Sequence, residues 1–317
     1  MTWTRVFQVL FLLALVLLAL GSAAQGQSVT LKDADRRLDL TISEQFPAEQ
    51  ATEIRAWVES IADSLTTVYG HWPRQHWQIS VENTSGASDD PIPWAQINRG
   101  RVDEVEFFVV DNVSAEQLRR EWTGYHELAH LLIPYRGWGD AWFAEGLASY
   151  YQNLMQARSG IINEQEMWQR LHDGFSRGRN DNRFDGQTLD VVSAGLRENG
   201  GFMRVYWSGA WYFLATDLAL RTRTPGLLSL DAALEKLNNC CAERPMSVPS
   251  MVQTLDELNR VDTFSTLYRD AVQSEAMPDF EPLLHALGIS VIDGQVRLEQ
   301  SGAAAKLRRE ISAAPPM

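Results

Sequence analysis

Apolar residues recur along this chain in two rhythms. Over residues 38–42 they alternate with polar ones, the two-residue period of a strand. Over residues 47–69 they fall at Ile54, Trp57, Val58, Ile61, Leu65 and Val68, which predicts a helix with one buried stripe that Gly70 ends. Residues 77–81 and 105–110 read as two further strands, separated by a Ser-, Asp-, Pro- and Gly-rich loop over 83–100. From Ser114 the rhythm becomes helical. Ser114 and Gln117 make a capping-box pattern, so a helix is expected to start there and run through Leu118 and Trp122 to Leu132, where Pro134 stops it. More helices are expected over 141–156, with Asp140 as N-cap, and over 164–172, 202–221, 230–237, 248–259, 263–272 and 280–287. A closing hairpin is expected over 289–292 and 296–299, turning at Asp293-Gly294. The Arg-rich segment 174–186 reads as a surface loop, and the tail from Gly302 as frayed. The pattern predicts an α+β, predominantly helical protein: a small mixed β/α lobe over 28–112, a helical lobe over 113–300 and a flexible tail over 301–317.

Composition changes the picture at the N-terminus. Residues 6–20 are apolar apart from Gln8, follow Arg5, and lead into Gly21, Ser22, Ala23 and Ala24. That layout is a secretory signal peptide over residues 1–24, so the protein is expected to be exported, periplasmic or secreted. The apolar run is shorter than the roughly 20 residues of a membrane span, and only an uncleaved leader would anchor the protein in a membrane. The chain carries 28 Lys and Arg against 41 Asp and Glu, a net charge of −13. A surface this acidic argues against nucleic acid or an anionic membrane as partner. No sequence feature specifies an oligomer. The two cysteines, Cys240 and Cys241, are adjacent. A relaxed bridge prefers Cα atoms about 5.5–6 Å apart, so they are expected as small packed residues or a redox-labile pair, and the apolar core must hold the fold.

One stretch carries chemistry. His126 and His130 stand four residues apart in His126-Glu127-Leu128-Ala129-His130, which places both imidazoles on one helix face. Two such imidazoles can bind one zinc ion, with Glu127 beside it as general base. Glu145, fifteen residues past His130 on the next expected helix, is the candidate third ligand. Two His and one Glu leave a coordination position open for water, whose pKa zinc lowers. The oxyanion that hydrolysis creates needs a further donor, and Tyr206 is the candidate. One zinc ion per chain is therefore expected, held by His126, His130 and Glu145, with Glu127 and Tyr206 as catalytic residues.

The run from HELAH to WFAEGLASYY resembles the zinc-binding core of the gluzincin peptidases, the aminopeptidase N and glycyl aminopeptidase families. Those families have a downstream Tyr three residues before a Gly, and here Tyr206 precedes Gly209 in that way. Residues 209–221, Ser229-Leu230-Asp231 and the segment Glu281-Pro282-Leu283-Leu284-His285-Ala286-Leu287-Gly288 are more similar to the glycyl aminopeptidase side. The resemblance spans about residues 105–298 and implies a thermolysin-like zinc-peptidase domain acting on a peptide or protein substrate. Three departures accompany it. The gap between His130 and Glu145 is short, the large N-terminal β-domain of the aminopeptidase N family is replaced by a small lobe, and no G-x-M-E-N segment supplies a Glu for a substrate amine. Asp103, Glu104 and Glu106 lie about where that segment would fall. Aminopeptidase and endopeptidase activity both remain open. Two other readings compete: a catalytically degenerate binding or assembly protein on the same fold, and a zinc hydrolase of non-peptide bonds.

Overall fold

A computed structural model describes residues 27–84, 88–135, 137, 139–224 and 226–314. The expected leader over residues 1–24 lies outside the described residues. Among those residues no helix is long and apolar enough to cross a membrane.

The chain begins with a five-stranded sheet. Strands β1 (Gln27–Asp33) and β2 (Arg36–Ile42) form an antiparallel hairpin. Helices α1 (Ala48–Ser64) and α2 (Thr66–Tyr69) carry the chain to β3 (His76–Thr84), which runs parallel to β2. Next come β4 (Trp94–Asn98) and β5 (Asp103–Val110); β5 joins β3 in parallel and β4 pairs antiparallel on the outer side of β5. The order is β1-β2-β3-β5-β4, with β4 at an edge. The registers align Leu40, Ile79 and Val105 across one face, and Ile42, Val81 and Phe107 beside them. All six are buried, and the Trp57 ring of α1 meets Phe107 edge-on at 5.0 Å. Strand β4 lies inside the stretch expected as a loop. It is short and open on one side, with Ala95 and Ile97 only half-buried, so its hydrophobic signal is weak.

The helical part departs from the expected pattern where tertiary contacts outweigh local rhythm. The helix expected from Ser114 to Leu132 is broken. Helix α3 (Ala115–Arg120) starts in the expected capping box, but Glu121 is extended and the chain restarts as α4 (Thr123–Ala129), followed by a 3-10 turn, His130–Leu132. Side chains take the carbonyls freed at the break: Gln156 Nε2 donates to Arg120 and Glu121, and the Tyr125 hydroxyl to Arg119. Helix α5 (Ala141–Arg158) has Asp140 at its N-cap without a side-chain bond; instead the Trp142 N–H donates to Ser193 Oγ at 3.1 Å.

Helix α6 (Glu164–Asn180) runs through most of the segment expected as an Arg-rich loop. Gly174 and Gly178 lie one turn apart and form a trough for the Trp207 indole, and a Cβ at either would run into that side chain. Glycines that read as loop signals are the surface on which an aromatic residue packs. Short helices α7 (Leu189–Ala194) and α8 (Leu196–Asn199) lead to the long α9 (Phe202–Arg223). Then follow α10 (Leu230–Cys241), α11 (Val248–Asn259), α12 (Thr263–Val272) and α13 (Glu281–Ala286). The hairpin of β6 (Ile289–Ile292) and β7 (Gln295–Leu298) turns at Asp293-Gly294 as expected, with φ of 51° and 76°. Cys240 and Cys241 are joined by a disulfide across Cα atoms 3.7 Å apart, so the pair is bridged rather than simply packed.

The tail expected to fray is helix α14 (Gly302–Ser312). Ala305, Arg308 and Ile311 form its buried face. The Arg308 guanidinium, 1% exposed, donates to the carbonyls of Leu287, Gly288 and Glu299 and to the Glu164 carboxylate. Arg158, at the end of α5, donates to the Ile311 carbonyl at 2.8 Å. A charged residue in the tail hid this docking from a hydrophobic count. Arg308→Met is expected to cost about 3 kcal/mol in urea unfolding, because it strands buried acceptors and Glu164. Lys306→Met on the exposed face is the control and is expected to change stability by less than about 0.5 kcal/mol.

Candidate metal centre

His126 on helix α4 and His130, the first residue of the turn that follows it, lie with their ring centroids 5.1 Å apart. Glu145, in the second turn of α5, closes on both: its Oε2 lies 3.1 Å from His126 Nε2 and 3.7 Å from His130 Nε2. One ligand atom from each of the three residues falls within 4.8 Å of the others. The spacing in the sequence implied this convergence, and the fold produces it through a crossing of two glycines.

Gly146 follows Glu145, and it meets Gly209 of α9 backbone to backbone. A Cβ on Gly146 would lie 2.8 Å from the Ala210 nitrogen and nearer still to the Gly209 Cα. A Cβ on Gly209 would overlap the Trp142 carbonyl oxygen. Helices α5 and α9 therefore touch one residue from Glu145. Tyr206, one turn before Gly209, is carried onto the cluster. Its ring stacks on His126 at 6.1 Å with the planes 17° apart, and its hydroxyl and the Glu145 carboxyl shift each other's ionisation.

A further residue, not found from the sequence, orients the first imidazole. His126 Nδ1 lies 2.8 Å from Gln152 Oε1; the amide oxygen accepts the Nδ1 proton and leaves Nε2 directed at Glu145. Gln152 stands seven residues after Glu145, on the same face of α5, and that spacing was the available signal.

The electrostatics follow from burial among opposing charges. Burial pushes His126 towards the neutral form, but the Glu145 bond and charge, with Glu127, outweigh it and raise its pKa above the usual histidine value. Burial lowers His130 to about 3, with the like charges of His126 and Arg99 adding to it and Glu145 opposing. Glu145 is drawn down to about 2: burial works against ionisation, and the two imidazoles with the Tyr206 hydroxyl more than offset it. Glu127 is raised to about 7 by burial, reinforced by Glu145 and resisted by His126 and Arg99. Tyr206 is pushed well above the usual phenol range by burial and by Glu145, so it stays a protonated donor. Two imidazole nitrogens and one ionised carboxylate oxygen, held this close, are a donor set that suits zinc once His126 gives up its proton.

Other sequence candidates are placed elsewhere. Asp103 shares the inward face of β5 with Val105 and is buried in ion pairs with Arg74 and Arg99. Glu104 and Glu106 alternate to the opposite face, where Glu106 accepts from Gln96 at 2.7 Å. The three acids are thus not gathered at the cluster. Trp142 is fully buried between Phe143, Tyr212 and Tyr268. Tyr150 and Tyr151 donate to the buried carboxylates of Asp217 and Asp231. Trp122 and Phe202, each 45% exposed, flank the cluster: Trp122 is edge-on to His126 at 5.5 Å, and Phe202 to Tyr206 at 6.2 Å.

Residues 138–210, a segment that holds Glu145, Tyr206 and both crossing glycines, match the sequence profile of the M61 glycyl aminopeptidase family. An aminopeptidase N family protein from Idiomarina loihiensis superposes with a TM-score of 0.64 at 18% identity, over 84% of this chain and 50% of its own. The fold is that of the gluzincin peptidases. Leukotriene A4 hydrolase from Saccharomyces cerevisiae aligns at TM-score 0.55 and 15% identity, over 79% of this chain and 40% of its own. An M1 zinc metallopeptidase from Deinococcus radiodurans aligns at 0.51 and 16%, over 80% and 53%. The chain thus spans about half the length of these gluzincin structures, or less. No curated protein matches it in sequence.

The glycine crossing and the raised His126 each predict a measurable outcome. Gly209→Ala is expected to lower stability by about 1–3 kcal/mol in thermal unfolding, since backbone has to move. Zinc must displace a proton from His126 below that residue's raised pKa. Affinity is therefore expected to be full at alkaline pH and to weaken as pH falls from about 8 to about 5, measured by competition with a chromophoric chelator.

Proposed function

We propose that this protein is an exported zinc metallopeptidase that hydrolyses peptide bonds, with Glu127 as general base and Tyr206 as oxyanion donor. One observation carries the reading: ligand atoms of His126, His130 and Glu145 lie within 4.8 Å of one another, with Tyr206 stacked on His126 and Glu127 next to His126 on the same helix. His126, His130 and Glu145 would hold the ion. Zinc in such a site supplies Lewis acidity and an acidified water. Glu127, whose carboxyl is poised near neutrality, takes the proton of the attacking water and delivers it to the leaving amine. Tyr206 turns its hydroxyl to the oxygen on which negative charge develops. Export rests on the leader over residues 1–24.

Substrate preference follows from the surroundings. The exposed faces of Trp122 and Phe202 favour substrates with apolar or aromatic side chains beside the scissile bond. The acids of β5 are buried in ion pairs or turned to the far face, which favours cleavage inside a chain over capture of a free amine.

Glu127→Gln is expected to keep stoichiometric zinc and lose peptide hydrolysis by about 10²–10⁴-fold. Tyr206→Phe is expected to lower kcat about 10²-fold with little change in KM. A wild type without stoichiometric zinc, or a Glu127→Gln variant that cleaves peptides as fast as wild type, would overturn this mechanism. Peptide libraries with free and acetylated N-termini separate internal from N-terminal cleavage.

A further inference from the structure

The second candidate ligand sits where its helix has ended, in a buried turn. Helix α4 ends at Ala129, His130 opens a 3-10 turn, and Ile133 is already extended. Four residues beyond His130 stands Pro134, which has no N–H, so the His130 carbonyl cannot receive an α-helical bond. The turn is held from outside by the sheet lobe. Arg99, one residue past the end of β4, donates through Nη2 to the His130 carbonyl. The Tyr69 hydroxyl donates to Leu132 at 2.8 Å, and Arg74 Nη2 to Ile133 at 3.0 Å. Asp103 Oδ2 ties the two guanidinium groups together, 2.9 Å from Arg99 Nη1 and 3.0 Å from Arg74 Nε.

We infer that Arg99 is a positioning residue for the metal centre, setting the His130 imidazole by holding its own carbonyl from the edge strand. The inference rests on the zinc reading above. An imidazole binds zinc well only when its backbone fixes both the Cα position and the ring direction. His130 lacks the following helical turn that would do this, and Arg99 supplies the restraint in its place. A cation at the C-terminal end of α4 also suits the helix dipole. Arg74 shares the clasp but grips the chain three residues further on, so it holds the lobe contact rather than the ligand.

The two roles separate experimentally in the full-length protein. Zinc dissociation constants, by chelator competition, and unfolding temperatures of the zinc-free forms are measured for wild type, Arg99→Met, Arg99→Lys and Arg74→Met. Arg99→Met is expected to weaken zinc binding about 10–100-fold, and Arg99→Lys by a smaller factor, because Lys keeps the charge but cannot bond Asp103 and the carbonyl together. Arg74→Met is expected to lower the unfolding temperature and leave the zinc constant near that of wild type. If Arg99→Met fails to fold, Arg99→Lys carries the test, and a wild-type zinc constant in that variant overturns the inference. So does equal weakening by Arg74→Met and Arg99→Met, which would mean general loosening. A wild type that binds no zinc overturns the metal reading itself, whereas zinc-binding wild type with an unaffected Arg99→Met overturns the positioning role alone.

Discussion

The contact between Gly146 and Gly209 sets the distance on which the whole centre depends. Two helices with side chains at their crossing lie about 8–10 Å apart, and these two touch through backbone. At that separation the residue before Gly146 and the residue three before Gly209 meet, and they are Glu145 and Tyr206. Each additional carbon at the crossing would separate a ligand from a donor. The same closeness explains why α9 packs Trp207 into the Gly174–Gly178 trough: a helix drawn this far in needs space on its other neighbour as well.

If the α5–α9 pair is rigid by contact, the α4 segment is rigid by restraint. It has seven residues, too few to be stable alone. Its beginning is fastened by Tyr125 and by Gln156 of α5, and its end by Tyr69, Arg74 and Arg99 of the sheet lobe. The sheet's contribution to the centre is therefore mechanical. Asp103 illustrates the point: it resembled a substrate-binding acid by position, yet it spends its charge on the two arginines that grip the ligand turn.

What the sequence revealed divides along the same line. His126, His130, Glu145 and the Tyr206–Gly209 spacing were legible because each is a local pattern whose chemistry is specific. The helical rhythm of the second lobe was legible because its apolar stripes are long. Strand β4 was not, because an edge strand of five residues has little burial to imprint on its composition. The glycines of α6 misled because local propensity treats glycine as a breaker, whereas here an indole from a distant segment needs the space. Gln152 and Arg99 act through single hydrogen bonds made across the fold, and a lone polar residue leaves no periodic trace.

The fastening of α14 to α5 bears on the order in which the molecule can be completed. Arg158 belongs to the helix that carries Glu145, yet one of its bonds goes to the carbonyl of Ile311, some 150 residues later. Arg308 likewise joins the start of α6 to the carbonyls of Gly288 and Glu299, on either side of the hairpin. A chain emerging from its N-terminal end holds His126, His130 and Glu145 long before it holds these two contacts. The helix bearing Glu145 reaches its final set of bonds only once Ile311 is in place, well after His126, His130 and Glu145 have been made.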